Sequence, residues 1–300
     1  KFQLSNKGID TSITYGFLKM IIPLIREYGI SSVIVAWDCG IPKFRKEFVP
    51  EYKATRHLNE DPEDRKNFIR QILDLHCHAL PAMGIVSIMK SKTEADDIIY
   101  HAAKISKNPV LIVSGDKDLL QCVSDNVSVL NPSKDKLYTP KELEEEIGIS
   151  YKLYIDWRAI QGDSSDNIPG VSGIGEKTAT KLFQTYHSLV GIENAALGIN
   201  PIGNIEGKLK DSILGFGRDR ILNNIKTMAL FRDRCGVKKY IYDEIEYFQP
   251  ASKMRTLNYL MKNGFASLVD IIPGTVGKLV KPELDLDNRF PIVVHERTAI

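Results

Sequence analysis

The chain has 300 residues, 43% of them hydrophobic and 26% charged. This is enough apolar content for a substantial core in one large or two smaller domains, and it excludes a disordered chain. No apolar run reaches the ~18–20 residues of a membrane helix, and no secretory leader opens the sequence between Lys1 and Ile21. The four cysteines, Cys39, Cys77, Cys122 and Cys235, have no paired spacing. That argues against a disulfide framework or a cysteine-based zinc site, and for a reducing compartment. With 40 basic and 38 acidic residues the net charge is +2, so only the distribution of charge is informative.

In chain order, the apolar run from Thr14 to Tyr28 repeats at a helical period, with Pro23 as a blemish that favours a kink. Ser32–Trp37 reads as a buried strand, and Glu63–Leu80 as a helix. Ile85–Met89 is a second strand and Ala95–Ser106 a second long helix. Val110–Val113 and Val127–Leu130 are further strands. Continuous β-branched runs suit strands covered on both faces, so residues 1–150 read as an α/β domain with a mostly parallel sheet. After Pro140 the strand signal fades. Lys141–Ile147, Tyr151–Gln161, Glu176–Tyr186, Ile205–Leu214, Asp219–Leu230 and Lys253–Gly264 read as helices, with Gly207 weakening the fourth. Residues 151–270 therefore form a helical region. Residues 271–300 show no clear period and stay unassigned.

The informative pattern lies just beyond the end of each strand. The first ends in Asp38. The second leads into Glu94-Ala95-Asp96-Asp97, and the third into Gly115-Asp116-Lys117-Asp118. In open α/β sheets the functional crevice lies outside the carboxyl ends of the strands. If these strands are parallel neighbours, their carboxylates meet on one edge, where like charges raise one another's pKa. A divalent cation relieves this, and an oxygen-only donor set favours Mg²⁺ or Mn²⁺ over zinc. Each element also has a plain structural reading. Asp38 could open a turn, Thr93 to Asp96 has capping-box spacing, and residues 115–118 could be a polar loop.

In the second half, Asp163 and Asp166 follow a helix in Gly162-Asp163-Ser164-Ser165-Asp166-Asn167. The glycine-rich stretch Gly170-Val171-Ser172-Gly173-Ile174-Gly175 then opens a helix carrying Lys177 and Lys181. Backbone amides of such a hairpin suit a phosphate, although a tight helix-to-helix corner needs the same glycines. The G-x-x-x-x-G-K-[ST] loop of nucleotide-binding proteins fails here, because Glu176 intervenes before Lys177. Between Lys43 and Arg56, basic residues (Lys43, Arg45, Lys46, Lys53, Arg56) alternate with Phe44 and Tyr52. That composition suits single-stranded nucleic acid, or equally a solvated face. His76-Cys77-His78 looks like a metal cluster, but neighbouring helix positions do not face each other. Asp10 is better placed as a helix cap than as a ligand.

Together these blocks resemble the structure-specific 5′-nuclease family, which includes the 5′→3′ exonuclease domain of bacterial DNA polymerase I, stand-alone phage 5′-exonucleases and the flap endonucleases. The resemblance runs from about Leu4 to Asp270. It rests on Val35-Ala36-Trp37-Asp38 with Phe44-Arg45, on Tyr52-Lys53-Ala54-Thr55-Arg56, on Glu94-Ala95-Asp96-Asp97, on Ser114 to Leu119, and on Gln161 to Ala179.

The resemblance implies a PIN-like nuclease core with a helical arch around 41–60 and a helix-hairpin-helix (H3TH) element at 160–185. It implies two Mg²⁺ or Mn²⁺ ions about 4 Å apart acting on a phosphodiester. Asp38, Glu94, Asp96 and Asp116 would hold one. Asp118, Asp163 and Asp166, sharing Asp116, would hold the other, with Asp97 a ligand directly or through water. Lys53 and Arg56 would contact the scissile phosphate and Tyr52 would stack on a base. Arg45, Gly173, Gly175, Lys177 and Lys181 would contact DNA, and the carbonyls of Gly170, Val171 and Ile174 would bind K⁺. The implied partner is DNA with a 5′ flap or 5′ end, acted on by a monomer in the cytoplasm, nucleoid-associated or in a phage's host.

Family members carry an Asp-Gly strand upstream of the point matching Lys1, so the resemblance implies an N-terminally truncated chain. The expected activity is 5′→3′ exonuclease and 5′-flap endonuclease. The alternative is a catalytically impaired branched-DNA-binding relative; a ribose-directed nuclease is a third reading, which the duplex-gripping hairpin argues against.

Overall fold

The protein is described by a computed structural model covering residues 4–56, 61–106, 108–231, 233–282 and 291–299. A small antiparallel pair, β1 (Ser5–Asn6) and β2 (Ile9–Asp10), precedes helix Ser12–Glu27. That helix runs unbroken through Pro23, whose position on the exposed face leaves the buried stripe Phe17, Leu18, Ile21, Ile22 and Ile25 intact. Asp10 behaves as a capping residue: its carboxylate accepts the Ser12 amide at 2.9 Å.

The main sheet contains β3 (Ser32–Asp38), β4 (Val86–Met89), β5 (Val110–Val113), β6 (Val127–Asn131), β7 (Lys136–Tyr138) and β8 (Pro291–Ala299), in the order β4-β3-β8-β5-β6-β7. All pairs are parallel except β6 with the edge strand β7. The mostly parallel sheet expected from the sequence is thus present, with one correction. The stretch after residue 271 is not wholly without structure: β8 occupies the centre, pairing Val294 with Val35 of β3 and with Val113 of β5. Its register against β3 shifts between Ala36 and Asp38, at the carboxyl edge.

Alternation along β3 sends Val33, Val35 and Trp37 to one face, and Ile34 and Ala36 to the other. The first face packs against helix Ser12–Glu27 and against Tyr259, Leu260 and Phe265. The second packs against Ile98, Ile99 and Ala102 of helix Ala95–Ile105, in a core that continues into the helical region. Each fully buried aliphatic side chain contributes roughly 1.5–3 kcal/mol. Trp37 is 2% exposed and satisfies its indole N–H on Ser87 Oγ at 2.8 Å.

The helices follow the sequence periodicity with shifted ends: Pro140–Ile147, Tyr154–Gln161, Glu176–Tyr186, Gly207–Phe216, Arg218–Met228 and Lys253–Lys262. Gly207 opens its helix at φ +62° rather than interrupting it. Helices Lys43–Phe48, Leu189–Leu197 and Val237–Glu246 were not evident from periodicity. The expected helix over 63–80 divides into Pro62–Asp74, a wider π turn at Leu75–Ala79 and a short continuation Leu80–Ala82. No helix among the described residues is long and apolar enough to cross a membrane.

Two amide side chains brace this part of the molecule, Asn224 within the helical region and Gln121 between it and the α/β domain. Asn224 donates to the carbonyls of Ala159 and Pro169 at 2.9 and 2.7 Å. Gln121 Nε2 donates to the carbonyls of Asp118 and Met228 at 2.8 and 3.1 Å.

Candidate active site

The parallel order places the ends of β3 and β5 on one edge, with the start of helix Ala95–Ile105 beside them. Asp38 ends β3, and its Oδ1 accepts the Ala95 amide at 2.7 Å. It therefore caps a helix from across the sheet, and the Thr93 capping box does not form: the N-cap is Glu94, without a side-chain bond to the helix. Asp116 follows β5 and accepts the Asp118 amide at 2.9 Å. Asp163 and Asp166 come from the loop after helix Tyr154–Gln161. The amide–carbonyl pair between Asp163 and Ile168 closes that loop at 2.8 Å in each direction. Asp38, Glu94, Asp97, Asp116 and Asp166 are all buried.

Buried carboxylates demand compensation, and much of it comes from the segment expected to form the arch. Residues 43–56 form a short helix and a run of turns; the last part of the expected arch, residues 57–60, lies outside the described residues. Lys53 adopts a left-handed backbone (φ +53°) and its amide donates to the Asp166 carbonyl at 2.9 Å. Its ammonium pairs with Glu94 Oε1 and lies 3.8 Å from Asp166 Oδ2. Arg56 reaches Asp166 Oδ1 at 2.7 Å, and Thr55 Oγ1 donates to Asn167 Oδ1 at 2.9 Å. The strap is thus laid directly on the acidic loop.

Arg45 and Tyr52, expected to touch DNA, are 2% and 4% exposed and present no face to a strand in this arrangement. Arg45 pairs with Glu94 and Asp97 at 2.6 and 2.7 Å, and the Tyr52 hydroxyl bonds both Glu94 oxygens at 3.1 and 3.2 Å.

The charge balance differs from one carboxylate to the next. Burial would raise Glu94, but Arg45 and Lys53 outweigh it and hold the group below its ordinary value. Asp163 is likewise held low: burial would raise it, but the Ser165 hydroxyl and Arg158 outweigh that. Asp96 goes the other way: burial, then Asp116 and Asp38, hold it well above the carboxylate range despite Lys53. Asp118 is pushed up to about 6 by burial and Asp116, against the pull of Arg158. Arg158 was not singled out from the sequence. It bridges Asp118 at 3.3 Å and Asp163 at 2.7 Å, and its only sequence signal is a basic residue one turn before Gly162-Asp163. Beside it opens a cleft of about 420 Å³ lined by Asp116, Lys117, Lys134, Asp163 and Ser164.

The donor set fits hard divalent cations: it is all oxygen, buried, and carries more negative charge than the built-in cations neutralise. In the present arrangement no three Asp, Glu, His or Cys side chains among the described residues surround a common point. Lys53, Arg56 and Arg158 stand among the carboxylates instead.

The glycine-rich hairpin is built by close backbone approach. A Cβ on Gly170 would lie 1.7 Å from the Gln161 carbonyl oxygen, and one on Gly162 would lie 2.4 Å from the Gly170 nitrogen. Gly173 (φ +79°) and Gly175 have open space instead, and Lys177 and Lys181 are exposed on the helix beyond them. Val171 and Ile174 are buried, and the Val171 carbonyl accepts the Ile174 amide at 3.0 Å. His76 bonds Ser87 Oγ at 2.8 Å.

With this geometry in place, comparison with known proteins is decisive. The family description "5'-3' exonuclease, N-terminal resolvase-like domain" matches residues 2–148, and "5'-3' exonuclease, C-terminal SAM fold" matches residues 149–235. The chain is 36% identical over 231 residues to the 5'-3' exonuclease of Bacillus subtilis, covering 75% of each protein. It is 37% identical over 213 residues to DNA polymerase I of Mycobacterium bovis, which covers 69% of this chain but only 22% of that relative. It belongs to the 5′-3′ exonuclease family. In three dimensions it resembles the bacteriophage T5 5'-exonuclease solved with zinc ions, with a TM-score of 0.61, 22% identity, and coverage of 83% of this chain and 90% of that one. The likeness establishes the shared fold.

Proposed function

We propose that the protein is a divalent-metal-dependent 5′-nuclease that hydrolyses DNA phosphodiesters as a 5′→3′ exonuclease and 5′-flap endonuclease. The observation that carries this reading is the surplus of buried negative charge at the carboxyl edge, where burial and acidic neighbours push up Asp96 and Asp118. A solved neighbour holding DNA together with metal ions supports it. Asp38, Glu94, Asp96 and Asp116 would hold one ion, and Asp116, Asp118, Asp163 and Asp166 the other, as Mg²⁺ or Mn²⁺. Held there, the ions would supply Lewis-acid chemistry, activating a water and stabilising the leaving oxygen of the phosphodiester.

The chain's own groups do the rest. Lys53 and Arg56 stand where a phosphate entering the edge would meet fixed positive charge, and both remain protonated because the surrounding carboxylates outweigh their burial. For either to reach a phosphate it must leave Glu94 or Asp166. The open backbone at Gly173 and Gly175, with Lys177 and Lys181, would grip duplex phosphates. Carbonyls at Gly170, Val171 and Ile174 would offer a K⁺ site.

The test is cleavage of a 5′-flap DNA in Mg²⁺, with Ca²⁺ and Asp116→Asn as controls. Cutting at or near the flap junction in Mg²⁺ alone is the expected result. Binding without cutting would favour the second reading, a branched-DNA-binding relative, for which the lack of a three-donor cage among the described residues speaks.

A further inference from the structure

The basic residue buried most deeply at the acidic edge lies at the start of the strap, not beside Lys53 and Arg56. Arg45 belongs to the six-residue helix Lys43–Phe48, where it alone is buried, at 2% exposure. Its guanidinium joins two other parts of the molecule, the head of helix Ala95–Ile105 and the end of helix Arg218–Met228. Nε lies 2.6 Å from Glu94 Oε2, and Nη2 donates to Asp97 Oδ1 at 2.7 Å. Nη1 donates to the carbonyl of Thr227, in the last turn of helix Arg218–Met228, where the helix dipole favours a cation. The rings of Phe44 and Tyr52 lie 5.2 and 5.8 Å from its central carbon.

A planar fork donates to Asp97 and to the Thr227 carbonyl at once while its Nε edge lies in ion-pair contact with Glu94; a lysine ammonium is a point charge on a shorter reach. Glu94 is thereby divided. Its Oε2 is committed to Arg45, while Oε1 faces Lys53 on the strap. Tyr52 bonds both oxygens and fixes the plane of the carboxylate. Asp97 spends one oxygen on Arg45, and its Oδ2 is buried with no hydrogen-bond partner among the described residues.

We propose that Arg45 is a positioning residue: with Asp97 as its counter-ion it holds Glu94 in the one orientation that presents Oε1 to a divalent cation. It also makes that orientation depend on the seating of helix Arg218–Met228. The proposal rests on the metal-dependent reading. It removes Arg45 from the DNA contacts and Asp97 from the ligands, and gives both one shared task. Partners that orient a ligand typically govern metal affinity about 10- to 100-fold.

The experiment is calorimetric Ca²⁺ binding to the DNA-free full chain, as wild type, R45K, D97N and the double variant R45K/D97N. Flap-DNA affinity without divalent ions and thermal midpoints are measured on the same samples. R45K keeps the charge and loses the fork; D97N keeps an acceptor and loses the charge. Each single variant is expected to weaken Ca²⁺ binding about 10- to 100-fold, the double variant no further, with DNA affinity unchanged. Additive losses in the double variant would make Asp97 a ligand in its own right and overturn the proposal. So would an R45K protein that binds Ca²⁺ like wild type, whether or not it loses DNA affinity. If R45K fails to fold, D97N decides alone: wild-type Ca²⁺ affinity in it refutes the shared task. A wild type that binds no Ca²⁺ refutes the metal-dependent reading itself, a result distinct from equal binding by wild type and variants.

Discussion

Glu94 and Asp96 stand two residues apart at the head of one helix, yet their protons are held in opposite ways. On the strap side Glu94 is kept ionised by Arg45 and Lys53, and Asp166 is gripped by Arg56. Toward the centre of the edge, Asp96 and Asp118 are raised, because burial and Asp116 outweigh the nearest cation. The protein thus supplies its own counter-charge on one side and leaves a deficit on the other. A stable fold has little use for such a deficit, since buried like charges only cost stability. It becomes useful if a cation arrives from solution.

The sharpest way to break this comparison is to remove the charge that the raised groups share. Asp116→Asn is expected to lower flap-DNA cleavage by more than about 100-fold, since a ligand should matter more than its outer-shell partners. DNA affinity should hold or improve as repulsion of the phosphates falls. Unchanged cleavage rates would show that the deficit has no catalytic purpose. Next is the strap. Lys53→Ala should lower single-turnover cleavage by about 100- to 1,000-fold, the usual cost of one charge-stabilising donor, with a small change in KM. A pure KM effect would reassign Lys53 to tethering.

A stability measurement sharpens the central side. Asp118 has its folded pKa raised from 3.8 to about 6, so the folded state holds the proton more tightly than the unfolded chain. Its contribution is therefore fully present below about pH 4 and lost as pH rises through about 6. Metal-free protein should show a falling thermal midpoint across that window. Asp118→Asn should flatten the fall, and Ca²⁺ should restore the midpoint of wild type at pH 7 more than that of the variant. The smallest effect belongs to the exposed cations. Lys177→Ala should weaken DNA binding a few-fold and reduce the slope of log affinity against log salt by about 0.9, leaving the single-turnover rate alone. A large rate effect there would blur the distinction between buried and exposed positive charge.

Much of this edge was legible in the sequence. β-branched runs ending in acids marked the parallel strands, because a strand covered on both faces must be apolar until it emerges at the edge. Asp38, Glu94, Asp96, Asp116 and Asp118 follow from that pattern. The fate of Arg45 was not legible. In Lys43-Phe44-Arg45-Lys46 composition alone would bury the phenylalanine, but the fold turns Arg45 inward because two carboxylates and a helix end wait there. Tyr52 is hidden for the same reason. Arg158 carries no signal in the sequence beyond a basic residue in a helical run. β8 escaped because Pro291–Ala299 mixes charged residues into its run, which obscures the continuous apolar signature of a central strand.

The position of β8 also makes the centre of the sheet a long-range contact. β3 and β5 do not touch as partners; each pairs with β8 instead. Among the described residues the strand carrying Asp38 and the strand leading to Asp116 are joined in the sheet only through residues 291–299. Pairing between segments this remote in sequence is slow to form. The two groups of carboxylates on the acidic edge are therefore held in register by a strand remote in sequence from both.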